Sequence, residues 1–381
     1  MEILSDNKQN GRLDWFILIP IIGLMLFSLG FVFSASAQKS LSVFGESTNY
    51  LISHAVKVVV GIIIMFVFAK LDYHVWQRYS KVFILFSIIP LVLVFFAGKP
   101  QNNVYRWLEV GPLFSFQPSE LAKFALITHI ATLLTERQPW IKTFKYGMMP
   151  PLIWTGIIAT LIALQPNFST AFATYLIAMG MMFIGNINLL HIIYTGIGCS
   201  VIAAIYAVSA DYRVQRLTAF LSNIGNQNVL DDGAYYQTGQ AIIAFGNGGL
   251  FGLGAGQSRQ SNLFLPESFG DFIYAIIGEE YGFLGAGMII IAFLLILWRG
   301  IVTIRNAKDN YGYFLAAGIV MTFTFYAMIN AGVNCGIFPN TGVPMPFISY
   351  GGTAIFIYAA AIGTLLNISS QAGNSSLKQA K

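Results

Sequence analysis

Apolar runs of roughly twenty residues recur from Trp15 almost to the end of this 381-residue chain, and a helix of about that length is what spans a bilayer. In lipid an unpaired backbone amide has no water to turn to, so each run must close its own hydrogen bonds as a helix. Composition agrees: charged residues make up 10% of the chain, against about 25% in a soluble domain. Hydropathy places ten spans near 14–36, 49–70, 80–97, 118–135, 148–166, 168–185, 187–208, 271–298, 312–334 and 347–370. The expected fold is all-α, a polytopic membrane helix bundle in one domain over 1–381, with a long outer loop at 209–270 between the seventh and eighth spans.

The net charge of +5 does not point to nucleic acid, because the cations sit in short loops on alternate sides. With the N-terminus (1–13) inside, the inner loops collect Lys70, Arg78, Lys81, Arg137, Lys142, Lys145, Arg299, Arg305 and Lys308. The short outer loops hold Lys39, Lys99 and Arg106. Both termini, including the tail 371–381, are therefore expected on the cytoplasmic side of the membrane. Lys8 and Arg12 before an apolar run, then Ser34-Ala35-Ser36-Ala37, imitate a secretory signal, but the run is too long for one and an uncleaved first helix is expected. Cys199 and Cys335 fall in different spans, which argues against a disulfide framework or a metal cluster.

Polarity then gathers on the outer side, in 98–117, 209–270 and 335–346. Pro118 suits the first turn of a helix, which puts Glu120 and Lys123 on one face as i, i+3 neighbours. They form either an internal ion pair or, as preferred here, a site where Lys123 and Arg106 hold an anion such as a diphosphate while Glu120 positions Lys123. Gln165-Pro166-Asn167 reads first as a kink. Arg213 and Arg216 are either a second anion clamp or a solvated face. Residues 239–249 read as an amphipathic segment on the membrane. The glycines at 252, 254 and 256 lack the Lys-Ser/Thr of a phosphate-binding loop, so nucleotide binding is rejected. Asp271, at the head of a span, is the expected carboxylate base, with Glu267 as assistant and Glu279 and Glu280 less placed to help. Three prolines in 330–353 exclude a plain helix and suggest a re-entrant outer wall.

Four ordered segments carry a resemblance: RWLEVGPLFSFQPSELAK at 106–123, QPNFST at 165–170, LPESFGDFIYAIIGEEYGFLG at 265–285 and GVPMPFISYGG at 342–352. Together they resemble the SEDS family of cell-wall proteins, FtsW and RodA, and GLGAGQSRQ before LPE is closer to FtsW. The resemblance implies a peptidoglycan glycosyltransferase that polymerises lipid II at the outer face of the bacterial cytoplasmic membrane during division, beside a class B penicillin-binding protein. It places the essential aspartate on Asp271 and polar site residues on Arg106, Glu120 and Lys123; Arg216, Glu267 and Ser349 are further candidate substrate contacts. It admits a divalent cation, magnesium or manganese, and no organic cofactor. Two positions depart from the pattern: Phe269-Gly270 replace a polar pair before the aspartate, and Asn167 replaces an aspartate. The rival readings are an elongation enzyme of RodA type, a flippase for the same lipid, and a non-catalytic scaffold for the penicillin-binding protein.

Overall fold

The computed structural model describes residues 13–101, 104–110, 114–208, 211–223, 236–265, 268–352 and 354–379. Ten long helices follow the ten apolar runs: α1 (Trp15–Phe44), α2 (Asn49–Lys70), α3 (His74–Ala97), α4 (Pro118–Glu136), α5 (Met149–Leu164), α6 (Phe168–Ile184), α7 (Leu189–Val208), α11 (Ile273–Arg305), α12 (Asn310–Asn334) and α13 (Ala354–Gln379). Three shorter ones, α8 (Asp211–Asn223), α9 (Tyr236–Gly248) and α10 (Arg259–Leu263), lie in the long loop. Among the described residues, eight helical stretches are long and apolar enough to cross a membrane, and α6 is a shorter apolar helix. The chain is a multi-pass membrane protein.

Helix α4 escapes the hydropathy criterion because Glu120, Lys123, His129 and three threonines dilute it. It is nevertheless buried almost without interruption from Pro118 to Leu134. A helix surrounded by protein need not be apolar to lipid, and α4 is packed by α3, α5, α6, α12 and α13. It is the axis of the bundle. At the edge, α7 packs on α6 and α8 and turns most of its surface outward.

Local signals explain the helix ends. Asp14 caps α1, its Oδ1 accepting from Phe16 N at 3.0 Å, and Gly45 at φ 78° stops it. The extension to residue 44 makes Ser34-Ala35-Ser36-Ala37 helical; Ser36 and Ser40 are buried. Pro118 sits in the first turn of α4, and Asp309 caps α12 through Gly312 N at 2.8 Å.

Two faces can be told apart. Arg299 near the end of α11 pairs with Asp14 at 2.6 Å, and Asn367 of α13 accepts from Tyr73 N between α2 and α3 at 3.1 Å. These contacts bring the start of α1, the α2–α3 turn and the late part of α13 to the basic face. The opposite face carries α8–α10, the irregular segment 336–352 and a feature that hydropathy did not anticipate. That feature is an antiparallel sheet of β1 (Lys99–Gln101), β2 (Val104–Val110) and β3 (Phe114–Phe116), with Leu108 opposite Phe116.

Two expectations need correction. The segment 239–249 does not lie flat on the membrane: α9 buries Gly239, Gln240, Ala241 and Ala244 and packs against α11. The helix of the last span does not occupy 347–370: α13 starts at Ala354 and continues to Gln379. Gln165-Pro166-Asn167 is a turn joining two packed helices, α5 and α6.

Candidate functional site

Asp271 stands two residues before α11 and is fixed by its main chain. Its carbonyl accepts from Asn330 Nδ2 at 2.8 Å and from Asn334 Nδ2 at 3.0 Å, both on α12. Asn330 also donates to Val343 O at 2.8 Å, and Asn334 Oδ1 accepts from Ala275 N at 3.0 Å. Two buried asparagines thus tie the Asp271 turn, the first turn of α11 and the 336–352 segment into one unit. The carboxylate lies over that segment: a Cβ added at Gly342, whose φ is +64°, would come within 3.3 Å of Asp271 Oδ2. A carboxylate at a helix N-terminus also faces the positive end of the helix dipole.

The residue just before this turn explains the apolar Phe269. Its ring packs 5.1 Å from Tyr50 and 5.5 Å from Tyr350, with Lys39 Nζ 4.9 Å from its centroid. Tyr350 N donates to Phe269 O at 2.8 Å. An aromatic box stands where the related pattern has polar side chains.

The other expected site residues are dispersed. Lys123 pairs with Glu120 at 2.7 Å, both side chains 4% exposed, and its ammonium sits 3.9 Å from the Tyr326 ring centroid. The cavity beside Lys123 is about 10 Å³, on the order of one water, so a diphosphate reaches Lys123 only if the ion pair opens. In this structure the pair is internal. Arg106 Nε donates to Gln165 O at 3.2 Å and its Nη2 donates to Pro166 O; the guanidinium fastens β2 to the α5–α6 turn. Arg216 is exposed on α8. Ser349 accepts from Met345 N at 2.9 Å and so closes a turn in the 336–352 segment. Glu267 lies outside the described residues.

Glu279 and Glu280 have a structural use. Helix α11 breaks at Gly282 (φ 68°, ψ −166°), and the loop after α9 fills the break. Leu253 N and Gly254 N donate to the carbonyls of Glu279 and Glu280 at 3.0 and 2.9 Å, and Phe283 N donates to Gly249 O at 2.8 Å. The Glu279 carboxylate accepts from Asn247 Nδ2, Ser258 Oγ and Gln260 N, and Glu280 accepts from Ser34 Oγ of α1. The glycine-rich loop therefore supplies backbone to a broken membrane helix, which is the condition for irregular backbone at that depth. Gly252 is required there: at φ +84° an added Cβ would meet Glu280 O at 2.1 Å.

Sequence reading passed over His54 and Lys57 on α2 and the two asparagines of α12. His54 is 1% and Lys57 5% exposed. The signal was available, since ionisable groups inside an apolar span are functional candidates by default. Among the described residues no three of His, Cys, Asp or Glu come together as metal ligands.

Comparison with known proteins follows this geometry. The cell cycle protein family model of FtsW, RodA and SpoVE matches residues 14–374. Stage V sporulation protein E of Bacillus subtilis is 38% identical over 93% of this chain and 96% of its own. A probable peptidoglycan glycosyltransferase FtsW of Trichlorobacter lovleyi is 33% identical over 97% and 96%. In fold, the chain resembles a component of a peptidoglycan synthase complex that coordinates polymerization and crosslinking, with a TM-score of 0.74, 22% identity and coverage of 94% and 98%. It also resembles the rod shape determining protein RodA of Thermus thermophilus, with a TM-score of 0.68, 21% identity and coverage of 94% and 96%. With the model match running across nearly all of its length, this chain belongs to the FtsW, RodA and SpoVE family of cell cycle proteins.

Proposed function

We propose that this protein is a peptidoglycan glycosyltransferase that polymerises lipid II during cell division. Its membership of the family and the naming of its FtsW relatives support the activity. The observation that carries the residue assignment is the anchoring of Asp271: an acid held by its carbonyl at a helix start, its carboxylate lying against the 336–352 segment on the face opposite the basic loops. That distribution of cations supports an extracytoplasmic site in the bacterial cytoplasmic membrane, with both termini inside.

In this reading Asp271 takes the proton from the 4-hydroxyl of the acceptor sugar. That oxygen forms a bond to the anomeric carbon of the donor, the bond from that carbon to diphosphate oxygen breaks, and polyprenyl diphosphate leaves with inversion. General base catalysis of this kind contributes about 10²–10⁴-fold. The likeness in fold to a component of a synthase complex supports a crosslinking partner of the penicillin-binding class.

Polymerisation of purified lipid II, with the cognate penicillin-binding protein present, tests the proposal. Wild type is expected to make long glycan strands and Asp271→Asn to make few or none. Equal strand formation by both would remove Asp271 from catalysis. Transbilayer movement of lipid II without strands from either would replace the synthase reading with a flippase.

A further inference from the structure

Lys57 lies in the outer half of α2, buried to 5% exposure. Its Nζ donates to Tyr350 OH at 3.3 Å and lies 4.3 Å from the centroid of the same ring. Among the described residues no carboxylate oxygen lies within 4.0 Å of it, the recorded ion pairs being elsewhere. This sets Lys57 apart from Lys123, whose burial is matched by Glu120. Removing an ammonium from water costs more than one neutral hydroxyl and one ring face return. The fold alone gives no reason to keep a charge there.

One turn away, a second polar group is left over. His54 bonds Ser28 Oγ through Nε2 at 2.9 Å, while its buried Nδ1 has no hydrogen-bond partner. Above the pair, Ser53 and Tyr350 are half-buried, with Ser53 Oγ 3.3 Å from Tyr350 OH. The outer side of the same helix presents Ile52, Val56, Val59 and Ile63, all exposed, as a track for a hydrocarbon chain. Tyr350 is bonded through its main chain to Phe269, two residues before Asp271. A phosphate oxygen is the ligand that an uncompensated ammonium and a tyrosine hydroxyl have in common; His54 Nδ1 joins them only as an imidazolium, because Ser28 Oγ gives its proton to Met25 O and so accepts from His54 Nε2.

We propose that Lys57, covered by Tyr350, holds the phosphate of a membrane lipid. Resting on the reading of Asp271 above, that lipid is the polyprenyl diphosphate end of the sugar donor. The aromatic cover keeps water from the anion, and the main-chain bond from Tyr350 to Phe269 couples its occupancy to the Asp271 turn.

The test is equilibrium binding of undecaprenyl diphosphate, undecaprenol and inorganic pyrophosphate to the full chain in nanodiscs of zwitterionic lipid. Wild type, Lys57→Met, Lys57→Arg and Asp271→Asn are compared, and each is melted without ligand. Wild type is expected to prefer the diphosphate over the alcohol by about tenfold or more, as befits a charge-assisted contact. Lys57→Met loses that preference, Lys57→Arg retains most of it, and Asp271→Asn binds like wild type. Without ligand, Lys57→Met melts at or above wild type, because a buried charge has gone. A preference that survives in Lys57→Met overturns the proposal. So does a lower melting point in Lys57→Met restored by Lys57→Arg, which would make Lys57 a structural cation. Pyrophosphate competing as well as the lipid would overturn the lipid-borne ligand in favour of free phosphate. If wild type makes no glycan yet holds the diphosphate through Lys57, the glycosyltransferase reading falls and the anion site stands.

Discussion

Replacing Asn334 by alanine removes four hydrogen bonds from one fully buried side chain. Three are donated, to Asp271 O at 3.0 Å, Asn330 O at 2.8 Å and Asn330 Oδ1 at 3.3 Å, and one is accepted from Ala275 N at 3.0 Å. Whether the loss is severe depends on what is left unpaired. Asp271 O keeps Asn330 Nδ2 at 2.8 Å, and Ala275 N keeps Phe272 O at 3.0 Å. Neither end of the clamp is orphaned, but the buried Asn330 Oδ1 loses its contact with Asn334 Nδ2. The cost is therefore the net worth of the bonds, about 1 kcal/mol each, raised by about 1 kcal/mol or more for that oxygen, and about 4–5 kcal/mol together. An apparent melting temperature lower by roughly 5 °C is expected. The larger effect is on chemistry, since the Asp271 turn is left with one of its two α12 anchors. Misplacing a reacting group by about 1 Å costs about 100-fold, so kcat for strand formation is expected to fall by about 10–100-fold. KM for lipid II should stay within about threefold of wild type. Asn334→Asp should be worse, because it turns a carboxylate toward the Asp271 carbonyl. Thermal melts read against initial rates of glycan polymerisation decide the matter. A variant that melts lower but polymerises at the wild-type rate would show that the clamp stabilises without positioning.

Two further expectations concern the frame. Gly252→Ala meets Glu280 O at 2.1 Å in a left-handed backbone conformation, and strain of this kind costs about 1–3 kcal/mol before the clash is counted; its melting point should fall well below that of Gly246→Ala, where the added Cβ has open space, and equal values would refute the account of the helix break. At the basic face, burial works to raise the Asp309 carboxyl, but hydrogen bonds from His74, Tyr73 and Gly312 N outweigh it and hold the group down at about 2. A depressed carboxylate stabilises the fold above its ordinary value of 3.8 and loses that contribution as pH falls through about 2. With about a third of the side chain exposed, the expected cost of Asp309→Asn is about 1–2 kcal/mol after screening. Asp309 in turn raises His74, so the stability gap to wild type should grow as pH falls and His74 takes its proton, hold to about 4, and close toward pH 2; a gap that does not close toward pH 2 would reverse the sign of the argument.

The bundle was legible because lipid leaves the backbone one answer, and hydropathy reports where that answer is needed. What hydropathy could not report is which helix is surrounded by protein. Pro118 marked the start of α4, yet only packing shows that its polar residues are interior and that Glu120 and Lys123 serve each other. The sheet of β1–β3 was hidden because its strands are only three, seven and three residues long and sit between two long apolar runs. Arg106 was recognised as important, but its partners are main-chain oxygens at 165 and 166, which no side-chain pattern encodes. Asp271 was placed at its helix start by the sequence; Asn330 and Asn334, 59 and 63 residues further on, become meaningful only when α12 is laid beside it. Lys57 and His54 were the reverse case, written openly in an apolar span and passed over because the polar loops drew attention outward.

The pairing of α2 with α13 also bears on how the protein is made. Asn367 of α13 donates to Ala69 O of α2 across 298 residues of chain, and Gly363 allows the two backbones to touch at Met65 O. At a ribosome's pace of about 5–20 residues per second, α2 waits roughly 15–60 s for that partner. During the interval its buried face, with Lys57 and His54, has no α13 or Tyr350 to cover it. The newborn chain therefore carries two ionisable groups at the membrane before their enclosure exists, and the bundle closes only when its last helix arrives.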